Sequence, residues 1–235
     1  MKGKHFLPIS LWLLLLSFVL SANAEVKYLG ADWKTQGDWI GKYGKGGAII
    51  FCNKEFHNTD LPVPYEPSEK DKLFKRGLIE EISITSSGNS KAYGWSFNAN
   101  PGDDKRAPWL VDKSARYAAC ISGRAADVAM TLKVNSTHYK VTIYCVDYDT
   151  ADTRGHRVYG YQGEKLPDKP DEETVKYREG VHYSWEVTGD EVFRYFAKNT
   201  LQFNTVSSGL FIDDMQDVKP AGKLSTTWGR IKNER

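Results

Sequence analysis

Hydrophobic and polar residues alternate with a period of two along most of this chain. Residues 127–135 place Val128, Met130, Leu132 and Val134 on one face, and residues 139–147 do the same with Tyr139, Val141, Ile143 and Cys145. Such alternation marks a strand with one face in a core. The residues between them, Asn135-Ser136-Thr137-His138, are few enough for an antiparallel hairpin, and the sequence predicts that pairing. Further short β-rich runs lie at 48–52, 78–85, 92–97 and 117–121, and a closing series at 181–187, 192–197, 201–206 and 209–213. No segment keeps a helical period over three turns. Two proline-bearing charged stretches, 58–76 and 164–173, read as surface excursions, because strand signals of the same kind continue on each side. The pattern predicts an all-β fold, a two-sheet antiparallel β-sandwich of the jelly-roll kind.

Two segments stand apart from this pattern. Residues 32–44 hold Trp33, Trp39 and Tyr43 among Gly37, Gly41 and Gly44. That is too much glycine for a helix or an ordinary strand, and too much aromatic surface for a disordered loop. Trp39 and Tyr43 are expected to pack inward at tight turns. Trp33, flanked by Asp32 and Lys34, is the expected exposed ring. The second segment ends the 139–147 strand in an acidic turn, Asp147-Tyr148-Asp149-Thr150-Ala151-Asp152, with Arg154 close behind.

The first 24 residues carry a basic start (Lys2, Lys4), an apolar stretch from Leu11 to Leu20 and an Ala22-Asn23-Ala24 ending. This is the three-part form of a secretory signal, too short in its apolar part to span a bilayer. The expected product is therefore a single β-sandwich over residues 25–235, secreted, periplasmic or at the cell surface, with no transmembrane segment after cleavage. Removing the signal takes Lys2 and Lys4 from 32 basic residues and leaves the rest balanced against 30 acidic ones. Near-zero charge offers no electrostatic footprint for nucleic acid. The three cysteines, Cys52, Cys120 and Cys145, sit in apolar runs and are expected as buried thiols, with at most one disulfide among them.

Trp39-x-Gly41-x-Tyr43-Gly44, Arg116-Tyr-Ala-Ala119, Asp127-Val128, the run from Tyr139 to Asp149, and Ser208-Gly209-Leu-Phe211-Ile-Asp213 carry a resemblance. Together they resemble the galactose-binding-like, carbohydrate-binding-module-like β-sandwich of exported bacterial proteins, often appended to secreted glycoside hydrolases. In this chain Tyr148 stands where the family's acidic turn usually has Trp, and the 58–76 stretch is longer. The resemblance implies a β-sandwich whose partner is a carbohydrate or cell-surface glycan, and it implies no chemistry of its own.

The candidate ligand contacts are Trp33 as a stacking platform, Asp32 and Lys34 as hydrogen-bonding neighbours, and Tyr148 and Arg154 at the acidic turn. Asp147, Asp149 and Asp152 offer alternating oxygens that a structural calcium could use. Equally, Arg154 or Arg157 could pair with Asp147 or Asp149 and fix the turn. No other cofactor is expected. Gly-x-Ser-x-Gly, His-Glu-x-x-His and phosphate-cradle motifs are absent. The acidic pairs Glu80-Glu81, Asp103-Asp104 and Asp213-Asp214 are adjacent, so on strands they point to opposite faces and cannot act as facing carboxylates. His57, His138, His156 and His182 read as isolated surface or turn residues. The sequence therefore favours a non-catalytic exported module that binds carbohydrate. Its rivals are a small jelly-roll polysaccharide lyase or hydrolase, and a structural or adhesion domain without a small ligand.

Overall fold

The computed structural model describes residues 24–51, 59–60, 72–74, 78–86, 92–98, 104–123, 127–149 and 153–215. The expected signal, Cys52, His57, Asp152 and most of the 58–76 stretch lie outside them. The described residues form fifteen strands and no helix: β1 (Glu25–Asp32), β2 (Gly47–Ile50), β3 (Thr59–Asp60), β4 (Lys72–Phe74), β5 (Ile79–Thr85), β6 (Ala92–Asn98), β7 (Ala118–Gly123), β8 (Val128–Val134), β9 (His138–Cys145), β10 (Gly155–Tyr161), β11 (Glu172–Val175), β12 (Val181–Thr188), β13 (Phe193–Asn199), β14 (Val206–Ser207) and β15 (Gly209–Asp214).

Strand pairing is antiparallel throughout these elements, as the alternation predicts, in sheets ordered β1-β12-β9-β15-β2-β4, β11-β10-β13-β8-β5 and β14-β7-β6-β3. All three send side chains into one core. The six-stranded sheet forms one layer of the sandwich, and the opposite layer is divided between the other two. Val128, Met130 and Leu132 of β8 and Tyr139, Val141, Ile143 and Cys145 of β9 all point into that core, on the faces the sequence assigns them. Trp185 is buried at its centre and donates its indole N–H to Asp171 Oδ2 at 2.8 Å.

One expected pairing is overturned. β8 and β9 do not form a hairpin: β8 pairs with β13 and β5, while β9 pairs with β12 and β15 in the other layer. The turn at 135–137 is an arch from one layer to the other. It is held by the amide of Asn135 on the Leu78 carbonyl (2.7 Å) and the amide of Gly189 on the Thr137 carbonyl (2.9 Å). Two strands that each bury one alternating face satisfy a hairpin and an arch equally well, so periodicity alone cannot choose between them.

The histidines also depart from expectation. His156 and His182 are fully buried. His156 stacks on Tyr177 at 4.3 Å and bonds the Tyr183 hydroxyl through Nε2 at 2.8 Å. His182 lies between the rings of Tyr43 (4.7 Å) and Tyr144 (4.3 Å), and its Nε2–H donates to the Gln36 carbonyl at 2.7 Å. Burial pushes the imidazole of His156 down to about 3 and that of His182 down to about 4. Both are neutral when folded but take up a proton near 6.5 when unfolded. Their contribution is thus complete above pH 6.5 and is lost as pH falls toward 4. Urea melts from pH 7 to pH 4 should show stability falling, each imidazole adding up to about 1.4 kcal/mol per pH unit. A His182→Gln variant, less stable at pH 7, should lose less on acidification.

Candidate functional site

The second half of β9, Thr142-Ile-Tyr-Cys145, is buried on both faces. Its inner face belongs to the sandwich core. Its outer face is roofed by two connections, 33–46 between β1 and β2, and 104–117 ahead of β7. Under this roof lies a second apolar cluster of Trp39, Ala48, Ile50, Tyr144, Val146 and Phe211, with Ile40, Tyr43, Leu110, Val111 and Tyr148 packed against it. Burying such side chains stabilises by about 1.5–3 kcal/mol each, which fixes both connections on the sheet without regular structure of their own.

The two connections meet along a tight seam. The Gly37 amide donates to the Lys105 carbonyl at 2.8 Å. A Cβ at Gly37 would stand 2.1 Å from the Ala107 carbonyl oxygen, so only glycine fits there. Two residues on, Trp39 is 2% exposed and donates its indole N–H to the Trp109 carbonyl at 2.8 Å. The Trp39 carbonyl accepts the amides of Lys42 and Tyr43, both at 3.0 Å, and the intervening turn needs Gly41 at φ +89°.

Beside the seam opens a cleft of about 260 Å³, lined by Asp38 and Ile40 from one connection and Trp109 and Lys113 from the other. The Trp109 indole N–H donates to Asp38 Oδ1 at 3.1 Å, and an Arg116 guanidinium N–H donates to the same oxygen. The Arg116 guanidinium also lies over the Trp109 ring, 4.5 Å from its centre, and donates to the Ala107 carbonyl at 2.9 Å. One face of the half-buried indole is thus covered by a cation and its edge is pinned. Asp38 Oδ2 is left without a partner among the described residues, and so is the Lys113 ammonium. The cleft therefore presents an aromatic surface, an aliphatic side chain, a fixed carboxylate oxygen and an amine.

The residues singled out from sequence fall elsewhere on this surface. Trp33 is 43% exposed, at the end of β1. Its neighbour Asp32 caps a turn: Oδ1 accepts the amides of Lys34 (2.8 Å) and Thr35 (3.1 Å), while Oδ2 accepts the Thr35 and Tyr43 hydroxyls. Partial burial would raise the Asp32 carboxyl, but the bonds from Thr35, Tyr43 and Lys34 outweigh it and hold the carboxyl well below the usual range. Tyr148 packs against the outer cluster and donates to the Arg106 carbonyl at 3.3 Å. Arg154 is buried and spans Asp147 (3.2 Å), Asp149 (2.9 Å) and the Asn204 carbonyl (3.1 Å). Asp147 and Asp149, the suggested calcium ligands, are thus both bonded to one guanidinium, and Asp152 lies outside the described residues. No group of three or more acids, histidines or cysteines placed to hold a metal exists among the described residues. Cys120 and Cys145 are free and buried, and burial pushes their thiols up to about 12 and about 11.

Sequence reasoning passed over the cleft's own residues. Asp38 and Ile40 sit inside the aromatic-glycine run, but the choice of Trp33 drew attention from them. Trp109 belongs to an apolar island, Ala107-Pro-Trp-Leu-Val111, between the charged stretches 103–106 and 112–116. An apolar patch amid charges in a non-strand segment is the signal that could have found it. Two outcomes follow from the geometry. Asp147→Ala should lower stability by about 1–3 kcal/mol in urea melts, because it removes the buried one of the two carboxylates that hold the buried Arg154. Gly37→Ala should cost about 1–3 kcal/mol or more by overpacking the seam.

No protein-family model matches the chain, and comparison with curated proteins gives no match. Among solved structures the chain is similar to the native structure of a family 35 carbohydrate binding module from Clostridium thermocellum. The match has a TM-score of 0.33 and 11% sequence identity, over 57% of this chain and 98% of that one. A similarity of that size says nothing about ligands, and what the cleft can hold follows from its side chains alone.

Proposed function

We propose that this protein is an exported, non-catalytic β-sandwich that binds carbohydrate in the cleft of Asp38, Ile40, Trp109 and Lys113. The observation that carries this reading is the pairing of Trp109 with Asp38. A half-buried indole, backed on one face by Arg116, lines the cleft and offers apolar surface to the C–H side of a sugar ring. A carboxylate oxygen with an unused lone pair lies beside that indole, held in place by the two donors on its companion oxygen. Apolar surface next to a few fixed polar groups is what a ring with one apolar and one hydroxylated aspect requires.

Binding rather than turnover is favoured by the acid content of the cleft. Glycoside hydrolysis uses two carboxyl groups about 5–9.5 Å apart across the scissile bond. Asp38 is the one acid among the described lining residues. Trp33 is an exposed indole on the 33–46 connection, but both oxygens of the adjacent Asp32 are already occupied, so hydroxyl recognition there has no carboxylate to draw on.

The test is affinity electrophoresis on a polysaccharide panel, with a reducing-end assay on the same samples. Trp109→Ala should weaken retardation by the retained polysaccharide at least about tenfold, equivalent to about 1.4 kcal/mol. It should leave the melting temperature near that of the parent, and no reducing ends should accumulate. Trp33→Ala should bind like the parent. Loss of binding in Trp33→Ala with Trp109→Ala intact would move the site to the end of β1, and accumulation of reducing ends would make the protein an enzyme.

A further inference from the structure

The cleft's dimensions and its two unused polar atoms narrow the kind of sugar it can take. At about 260 Å³ it is smaller than the ~300–1,000 Å³ clefts that enclose drug-sized ligands. That is room for one sugar ring and part of a second, not for a run of chain. Its polar atoms are complementary rather than alike. Asp38 Oδ2 can only accept a hydrogen bond, and the Lys113 ammonium can only donate one. They come from different segments, Asp38 from the 33–46 connection and Lys113 from the 104–117 connection, where Lys113 is held at φ +60° with its amide on the Leu110 carbonyl at 2.9 Å. Two neighbouring hydroxyls of one ring, the first donating and the second accepting, match that pair.

Charge argues against an acidic or basic sugar. At the cleft itself the Asp38 carboxylate and the Lys113 ammonium carry opposite charges. The Arg116 guanidinium is occupied by the Trp109 ring, Asp38 and two carbonyls, those of Ala107 and Lys105. A sugar carboxylate placed to meet Lys113 would share the cleft with the like-charged carboxylate of Asp38. An amino sugar placed to meet Oδ2 would share it with the Lys113 ammonium.

We infer that the cleft recognises a single terminal, uncharged pyranose through two adjacent free hydroxyls, one on Asp38 Oδ2 and one on Lys113 Nζ, with the ring's C–H face on Trp109 and Ile40. The inference rests on reading the cleft as a carbohydrate site, and its test is built to fail separately from that reading. Titration calorimetry would use the full secreted chain with the methyl glycosides of glucose, galactose and mannose, the matching uronic acid and 2-amino-2-deoxy glycosides, and neutral oligosaccharides of two to six units. A neutral methyl glycoside should bind within about threefold of its longer oligosaccharides, and about tenfold more tightly than its charged counterparts. Asp38→Asn, which keeps the size and the acceptor on Oδ1 but loses the charge, should weaken the neutral glycoside about tenfold or more, the scale of losing a charged hydrogen bond. Lys113→Gln should weaken it by a smaller factor, and both variants should melt like the parent. Affinity that climbs more than tenfold with chain length, or that favours the uronate or amino sugar, overturns the terminal neutral sugar while Trp109→Ala sensitivity preserves the site. Saccharide binding that is indifferent to Trp109→Ala, or no binding to any of these probes, overturns both.

Discussion

The hydrogen bond from the indole of Trp39 to the carbonyl of Trp109, 2.8 Å long, joins the two irregular connections that shape the cleft. Each connection alone would be a loop over the outer face of a sheet, free to lift from it. Trp39 buries its ring against Phe211, centre to centre 4.8 Å, while its N–H ties down the neighbouring connection. Leaving that buried donor unpaired would cost about 1–3 kcal/mol, beyond the apolar surface lost with it. Asp38, the residue before Trp39, thereby lies beside Trp109 and accepts its indole N–H at 3.1 Å. Gly37 sets how closely the two chains can run.

The same surface shows how polar groups divide between holding the fold and remaining available. Asp32 spends both oxygens on a turn. Asp147 and Asp149 share Arg154, and partial burial, against the pull of the Arg154 charge, pushes the Asp149 carboxyl up. Asp171 spends one oxygen on the Gly160 amide at 2.6 Å and the Trp185 indole at 2.8 Å. In each case the carboxylate satisfies donors that folding would otherwise strand. Asp38, like Asp171, takes both donors on one oxygen, but its side chain stands exposed at the cleft, where the second oxygen is open. Hydrogen-bonding capacity left open at the surface sets Asp38 apart from these structural carboxylates, and residue type alone carries no such distinction.

That is also the line between what could be read in the sequence and what could not. Alternation in 127–135 and 139–147 places the right side chains in the core, and the excess of β-rich runs announces an antiparallel sandwich. Which strand pairs with which depends on long-range register. The arch between β8 and β9 and the division of one layer into two sheets were therefore invisible. β10 escaped notice because Gly155-His-Arg-Val-Tyr-Gly-Tyr161 interrupts its apolar residues with glycine and a buried histidine. Gly160 is small because Trp185 presses on it, with the indole 2.5 Å from where a Cβ would be. Among the aromatics of 32–44, burial of Trp39 and exposure of Trp33 follow from their flanking residues. The partnership of Asp38 with Trp109, seventy-one positions away, does not.

The central claim, that the Asp38–Trp109 cleft is the carbohydrate site, is tested most directly by following indole N–H resonances during titration with a retained polysaccharide. Each tryptophan reports separately and no substitution disturbs the fold. The account predicts that the Trp109 resonance moves with saturation, since its N–H already bonds the carboxylate a sugar hydroxyl would join, while those of Trp33 and the buried Trp185 stay fixed. Movement of Trp33 alone, with Trp109 unchanged at saturation, would contradict it.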